Sequence, residues 1–196
     1  MKTGIVIAVL AFAPKVYAES DLSVDLLYGG SLSSEKSTLE PASLYGARAA
    51  YAYNHLLSFE LGYSQVEGRY DEEGDTSLHT DVERYTATSF GIKGSTEIST
   101  SYSLNLRLGL AYSQLQQQNY SQTLPWQSDV ANPKRTEKQS ASTSGLGSYY
   151  SLGIERRFTQ NIYMGLDYSS FRFNAKSADF SAYKSHNITI SLGYNF

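Results

Sequence analysis

The chain has 196 residues, enough for one domain and not comfortably for two, and its net charge of −3 offers no basic surface for nucleic acid. Only 41% of residues are hydrophobic, yet there are 17 Tyr and 8 Phe; few apolar residues with many aromatics exclude a bundle of membrane helices and suit a barrel of half-apolar strands. The absence of cysteine excludes a disulfide framework and thiolate metal sites.

Residues 1–18 have the layout of a secretory signal peptide. Lys2 gives a positive start, Gly4 to Pro14 is a short apolar run, and Val16-Tyr17-Ala18 ends in a small residue before Glu19. The run is too short for a spanning helix, which needs ~20 residues. Cleavage after Ala18 would leave residues 19–196 as an exported barrel domain, with no later stretch able to cross a bilayer as a helix.

Eight segments of alternating character follow. The first is Leu22 to Gly30, with Leu22, Val24, Leu26 and Tyr28 on one face and Asp25 on the other. The second, Leu44 to Tyr53, sets Tyr45, Tyr51 and Tyr53 opposite Arg48. The third, Leu57 to Arg69, alternates Leu57, Phe59, Leu61 and Tyr63 with Ser58, Glu60, Gly62 and Ser64. In the fourth, Val82 to Gly94, Phe90 and Ile92 oppose Tyr85, Ser89 and Lys93.

The fifth, Ser101 to Ser113, is the cleanest. Tyr102, Leu104, Leu106, Leu108, Leu110 and Tyr112 occupy every second position, and Ser103, Asn105, Arg107, Gly109 and Ala111 lie between them. A period of two is a β-strand with one oily face. The span between the two tyrosines, tilted by ~40°, rises roughly 25 Å, the height of the apolar band on an outer-membrane barrel.

The sixth segment, Ser144 to Phe158, points Leu146, Tyr150, Leu152, Ile154 and Phe158 outward, and Gly147, Gly153, Glu155 and Arg157 inward. The seventh, Ile162 to Phe173, sets Ile162, Met164, Leu166 and Tyr168 opposite Gly165 and Asp167. The eighth, Tyr183 to Phe196, ends in alternating Ile188, Ile190, Leu192, Tyr194 and Phe196.

Connections 54–56, 95–100 and 159–161 are short, whereas 31–43, 70–81, 114–143 and 174–182 are longer and polar. Short periplasmic turns and long outer loops put both chain ends in the periplasm and require an even strand count. The expected fold is all-β: an eight-stranded antiparallel transmembrane β-barrel with an up-and-down meander. A soluble barrel of the lipocalin type also alternates, but its polar face should be rich in Lys and Glu. Here that face is mostly Ser, Gly, Ala and Asn. Its charges balance, Asp25, Glu60, Glu155 and Asp167 against Arg48, Lys93, Arg107 and Arg157. Buried charges must pair, so these eight are expected to form an ion-paired plug in the lumen.

The terminal run Ile188-x-Ile190-x-Leu192-x-Tyr194-x-Phe196 resembles the last-strand signal that hands barrels to their assembly machinery, and Ile190, Leu192, Tyr194 and Phe196 would carry it. With the signal peptide and eight strands, the chain resembles the OmpA/OmpX-type small outer-membrane barrels of Gram-negative bacteria over about all of its mature length. On this reading the periplasmic peptidoglycan-binding domain of full OmpA-type proteins is not expected. The resemblance implies a monomeric barrel whose loops meet the outside world.

Several chemistries compete with loop display. A conducting pore is disfavoured, because an eight-stranded barrel is just wide enough for side chains to fill. A lipid A-modifying enzyme would need a nucleophile, a base and an orienting acid. His186 and Ser170 fall opposite each other on the outward parity, yet no outward Asp or Glu joins them, and Ile188 stands where the His-x-Ser pattern of deacylase barrels has Ser. His55 and His79 lie in a turn and a loop. Asp71, Glu72, Glu73 and Asp75 lack the order of a calcium loop. No cofactor or metal is expected.

Two surface features remain. Arg69, Arg84, Lys138, Arg172 and Lys184 reach outward at the outer ends of their strands, where lipopolysaccharide phosphates lie. The longest loop carries the single tryptophan, Trp126, near Lys134 and Arg135, an aromatic and basic grouping of the kind that anchors interfaces. The sequence therefore points to a non-enzymatic outer-membrane barrel serving envelope integrity or surface interaction. Its partners are membrane lipid and lipopolysaccharide, the assembly machinery, and a host or surface ligand at the loops. A lipid A-modifying enzyme, and less so a narrow channel, are the alternatives.

Overall fold

The computed structural model describes residues 21–33, 42–73, 77–123, 136–173 and 183–196. They form eight strands: β1 (Leu22–Ser33), β2 (Ala42–Ala52), β3 (Leu57–Glu73), β4 (Ser77–Ser99), β5 (Tyr102–Thr123), β6 (Thr136–Arg157), β7 (Ile162–Phe173) and β8 (Tyr183–Asn195). Each pairs antiparallel with its sequence neighbours, and β8 pairs with β1 to close the barrel. Closure leaves no sheet edge within the membrane, where an unpaired backbone group is costly.

The register fixes the shape. A row traced from Ser23 through Ala50, Glu60, Gly91, Gly109, Tyr149, Phe171 and Ser185 returns to β1 at Ser33, a slip of 33 − 23 = 10 residues. Ten residues at ~3.3 Å, set against eight interstrand spacings of ~4.8 Å, tilt the strands by roughly 40°. A barrel of this size can be filled by side chains.

The apolar face looks out. On β5, Leu104, Leu106, Leu108 and Leu110 are 40–55% exposed, whereas Asn105 and Arg107 between them are fully buried. The same alternation runs through β3, β7 and β8. Tyr28, Tyr45, Tyr63, Tyr112 and Tyr150 form an outer aromatic ring, and Tyr51, Tyr53, Tyr102, Phe158, Tyr194 and Phe196 a second ring at the end that carries the short turns.

Two stretches expected as loops are largely strand. Residues 70–73 and 77–81 extend β3 and β4, and 114–123 and 136–143 extend β5 and β6. β3 to β6 thus reach 17, 23, 22 and 22 residues, against 11–13 in the other four. Beyond the apolar band the outer face of a strand meets water instead of lipid, so the outward apolar series stops while the backbone ladder continues. The ladder of β2 on β3 ends at Ser43–Glu67 and that of β7 on β6 at Gly147–Phe173, so the extension is a four-stranded wall. A 22-residue strand at this tilt rises roughly 55 Å, about 30 Å beyond the apolar band. At the opposite end a bulge between Glu97 and Ser99 lets β4 run into a two-residue turn, where a longer connection was expected.

Candidate functional site

Seven of the eight charges expected inside converge at mid-barrel. Arg107, fully buried, donates from Nε to Glu60 at 3.0 Å, from Nη2 to Glu155 at 2.8 Å and from Nη1 to Asp167 at 2.6 Å. Arg48 Nη2 lies 2.8 Å from Asp167 and 3.2 Å from Asp25, and Lys93 Nζ donates to Glu155 at 2.7 and 2.9 Å. Tyr163 donates its hydroxyl proton to Asp25. Strands that are far apart in sequence supply these groups, so the network ties β1, β2, β3, β4, β5, β6 and β7 together across the lumen. A planar guanidinium with five donors can serve three carboxylates at once, which an ammonium cannot do with the same geometry. Gly153 makes room for this arrangement, since a Cβ there would lie 1.9 Å from Asp167 Oδ1.

Arg157 does not belong to the network. Its side chain is 50% exposed and lies 3.7 Å from Glu97, itself 71% exposed. It keeps the inward parity, but it sits one step past Glu155 at the end of β6, where the lumen has opened to water. The plug therefore holds four carboxylates and three cations, with the Tyr163 phenol on Asp25.

Outward of the charges the interior turns apolar, a layer that balanced charge counting missed. Leu44, Val66, Tyr85, Leu115, Tyr149, Phe171 and Phe173 pack inside the barrel, each 9% exposed or less. Tyr149 stacks on Phe171 with centroids 5.4 Å apart and Tyr85 on Phe173 at 5.9 Å, while the Tyr85 and Ser113 hydroxyls meet at 2.8 Å. The Tyr149 ring lies across Gly109, where a Cβ would come within 2.6 Å of it. The signal was present: Leu44, Val66, Tyr149, Phe171 and Phe173 fall on the inward parity near the outer strand ends. Between the layers a cavity of about 40 Å³ adjoins Glu60, Arg48 and Ser151, each with a buried polar atom lacking a protein partner. It is large enough for a water. Below the charges a polar vestibule of about 580 Å³ opens at the short-turn end, with Lys93, Glu155 and Tyr163 among the residues lining it and the Arg157–Glu97 pair at its rim.

On the outer surface, Arg172 and Lys184 are in-register neighbours on β7 and β8, both exposed. Arg84 is exposed but donates to Glu67 at 2.8 Å, so an acid already takes part of its charge. Arg69 is exposed on β3, apart from the Arg172–Lys184 pair. Lys138 lies in β6, its side chain outside the described residues. Trp126, Lys134, Arg135 and residues 1–18 also lie outside them. Ser170 and His186 do stand opposite each other. However, Ser170 is 2% exposed, and His186 Nδ1 is engaged by the Tyr168 hydroxyl at 2.6 Å with the rings stacked. That geometry presents no free nucleophile to lipid.

Ile190, Leu192 and Tyr194 face outward on the closing strand, and the Phe196 amide donates to Leu22 O at 3.0 Å. The model of the outer membrane protein beta-barrel domain matches residues 4–196. The chain belongs to that family. Its residence is the outer membrane. None of the curated proteins compared matches its sequence. Among solved structures the barrel resembles Ail, the attachment invasion locus protein of Yersinia pestis, at TM-score 0.56 and 15% identity, over 91% of this chain and 100% of that one. Neisserial surface protein A follows at 0.51 and 12%, covering 89% and 96%. Acinetobacter baumannii CarO gives 0.51 and 9%, covering 90% and 98%. Ail has also been solved with the heparin analogue sucrose octasulfate.

Proposed function

We propose that this barrel is a non-enzymatic surface-display protein. It would be exported through a cleavable signal peptide (residues 1–18), inserted with the help of its Ile190-x-Leu192-x-Tyr194-x-Phe196 end, and act as a monomer. The observation that carries the reading is the wall of β3 to β6, whose 22-residue strands β5 and β6 reach about 30 Å beyond the apolar band. Such a platform has no use in holding the barrel in lipid; it serves to reach a partner. The connection between β5 and β6 carries Trp126 and, further along the chain, Lys134 and Arg135, a composition that suits an acidic surface ligand. The complex of Ail with a sulfated sugar is consistent with that chemistry.

The lumen supports a closed barrel: an ionic layer and an aromatic layer lie in series above a vestibule that opens at one end. Planar-bilayer recording of the purified protein should show no stable conductance. At the outer rim, Arg172 and Lys184 form the best-placed pair for lipopolysaccharide phosphates, with Arg69, Arg84 and Lys138 as further contacts. Deleting residues 124–138 should abolish binding to anionic polysaccharide or cell surfaces while the barrel assembles normally. Undiminished binding would remove the display reading, and a lipid A mass change on expression would favour the enzyme instead.

A further inference from the structure

Arg156 interrupts the lipid-facing surface. It lies on β6 between Ile154 and Phe158, on the outward parity, and its ladder partners are Tyr102 of β5 and Met164 of β7. All five of these side chains are exposed. Among the described residues it is the one charged side chain that faces outward at the level of the second aromatic ring. Its guanidinium carbon sits 5.7 Å from the Tyr102 ring centroid and 5.0 Å from that of Phe158. Adjacent Arg157 turns the other way, to Glu97. Among the described residues no carboxylate forms an ion pair with Arg156.

A lipid-facing arginine lays its stem along the apolar surface and carries its charged head to the interface. There Arg156 is flanked by two rings of the periplasmic girdle, which hold the cation by its attraction to their faces. The planar fork keeps its N–H donors for an oxyanion, and it matches a phosphate with two parallel hydrogen bonds. Toward the bilayer centre, Leu104, Ile154 and Leu166 offer a continuous apolar surface.

We infer that Arg156, caged by Tyr102 and Phe158, seats the phosphate of a glycerophospholipid in the periplasmic leaflet, whose acyl chains lie along the strands above it. A phosphodiester carries one negative charge, which a single guanidinium neutralises. The site is on the opposite leaflet from the rim cations and does not depend on the display reading.

The test uses the full barrel in nanodiscs of phosphatidylethanolamine and phosphatidylglycerol, released into a native mass spectrometer that counts retained phospholipid. Arg156→Gln should lower occupancy of the tightest lipid about five-fold, the loss expected for one cation near an anionic surface. Arg156→Lys should fall between Gln and the parent, and Tyr102→Leu with Phe158→Leu should weaken retention while the arginine remains. Arg172→Gln with Lys184→Gln should leave this lipid in place. Equal retention by the parent and Arg156→Gln, both shown folded by heat-modifiable gel mobility, would overturn the assignment. Displacement of the lipid by millimolar inorganic phosphate would also overturn it, by showing a site for the free anion.

Discussion

The two halves of the lumen solve the same problem with opposite materials. At mid-barrel the space is filled by charges, and Arg107 alone reaches three carboxylates. A few residues outward it is filled by stacked rings, with Tyr85, Tyr149, Phe171 and Phe173 packed as in a soluble core. The ionic layer ties distant strands by directed bonds and tolerates no missing partner. The aromatic layer depends on volume and tolerates smaller changes. The difference teaches that the lumen of a barrel this narrow can be filled by either means, and that this one uses both in series.

Breaking the ionic layer should cost most. Arg107→Met would leave Glu60, Glu155 and Asp167 short of a partner, and loss of about 3–5 kcal/mol is expected in urea unfolding from lipid vesicles. Because the pairs are buried, that loss should change little with added salt. Tyr149→Ala in the aromatic layer should cost about 3 kcal/mol in the same assay, graded by how far Phe171 can fill the space. Tyr85→Phe keeps the ring and removes the bond to Ser113, so about 1 kcal/mol is expected. Arg157→Gln sharpens the comparison from the other side: its pair with Glu97 is solvated at the barrel mouth, and the unfolding midpoint should hardly move.

The membrane-embedded part of the fold was legible because lipid imposes a strict rule on alternate residues. From Leu104 to Leu110, every large apolar side chain that reads as outward is outward. The charges of the plug were legible for the same reason, since an inward charge on a lipid-bounded strand must find a partner. Arg157 escaped this logic at the end of its strand, where parity still holds but burial does not. The strand extensions at 70–73, 77–81, 114–123 and 136–143 were illegible, because past the apolar band the backbone ladder continues while no outward series of large apolar residues reports it. The aromatic layer was hidden by an assumption that an interior face must be polar; Phe171 and Phe173 were on that face all along. Arg156 was equally visible, a lone charge in the outward series of the sixth segment. Its role depended on seeing Tyr102 and Phe158 beside it.

The central claim is that alternate residues of the strands face acyl chains while their neighbours fill a closed lumen. The chain has no cysteine, so single Cys substitutions can be spin-labelled without background. Labels at positions 104 to 111 of β5, in lipid vesicles, should show oxygen collision rates that alternate with period two, high at Leu104, Leu106, Leu108 and Leu110. Low rates at those four positions, with high access of a polar relaxant there instead, would contradict the account.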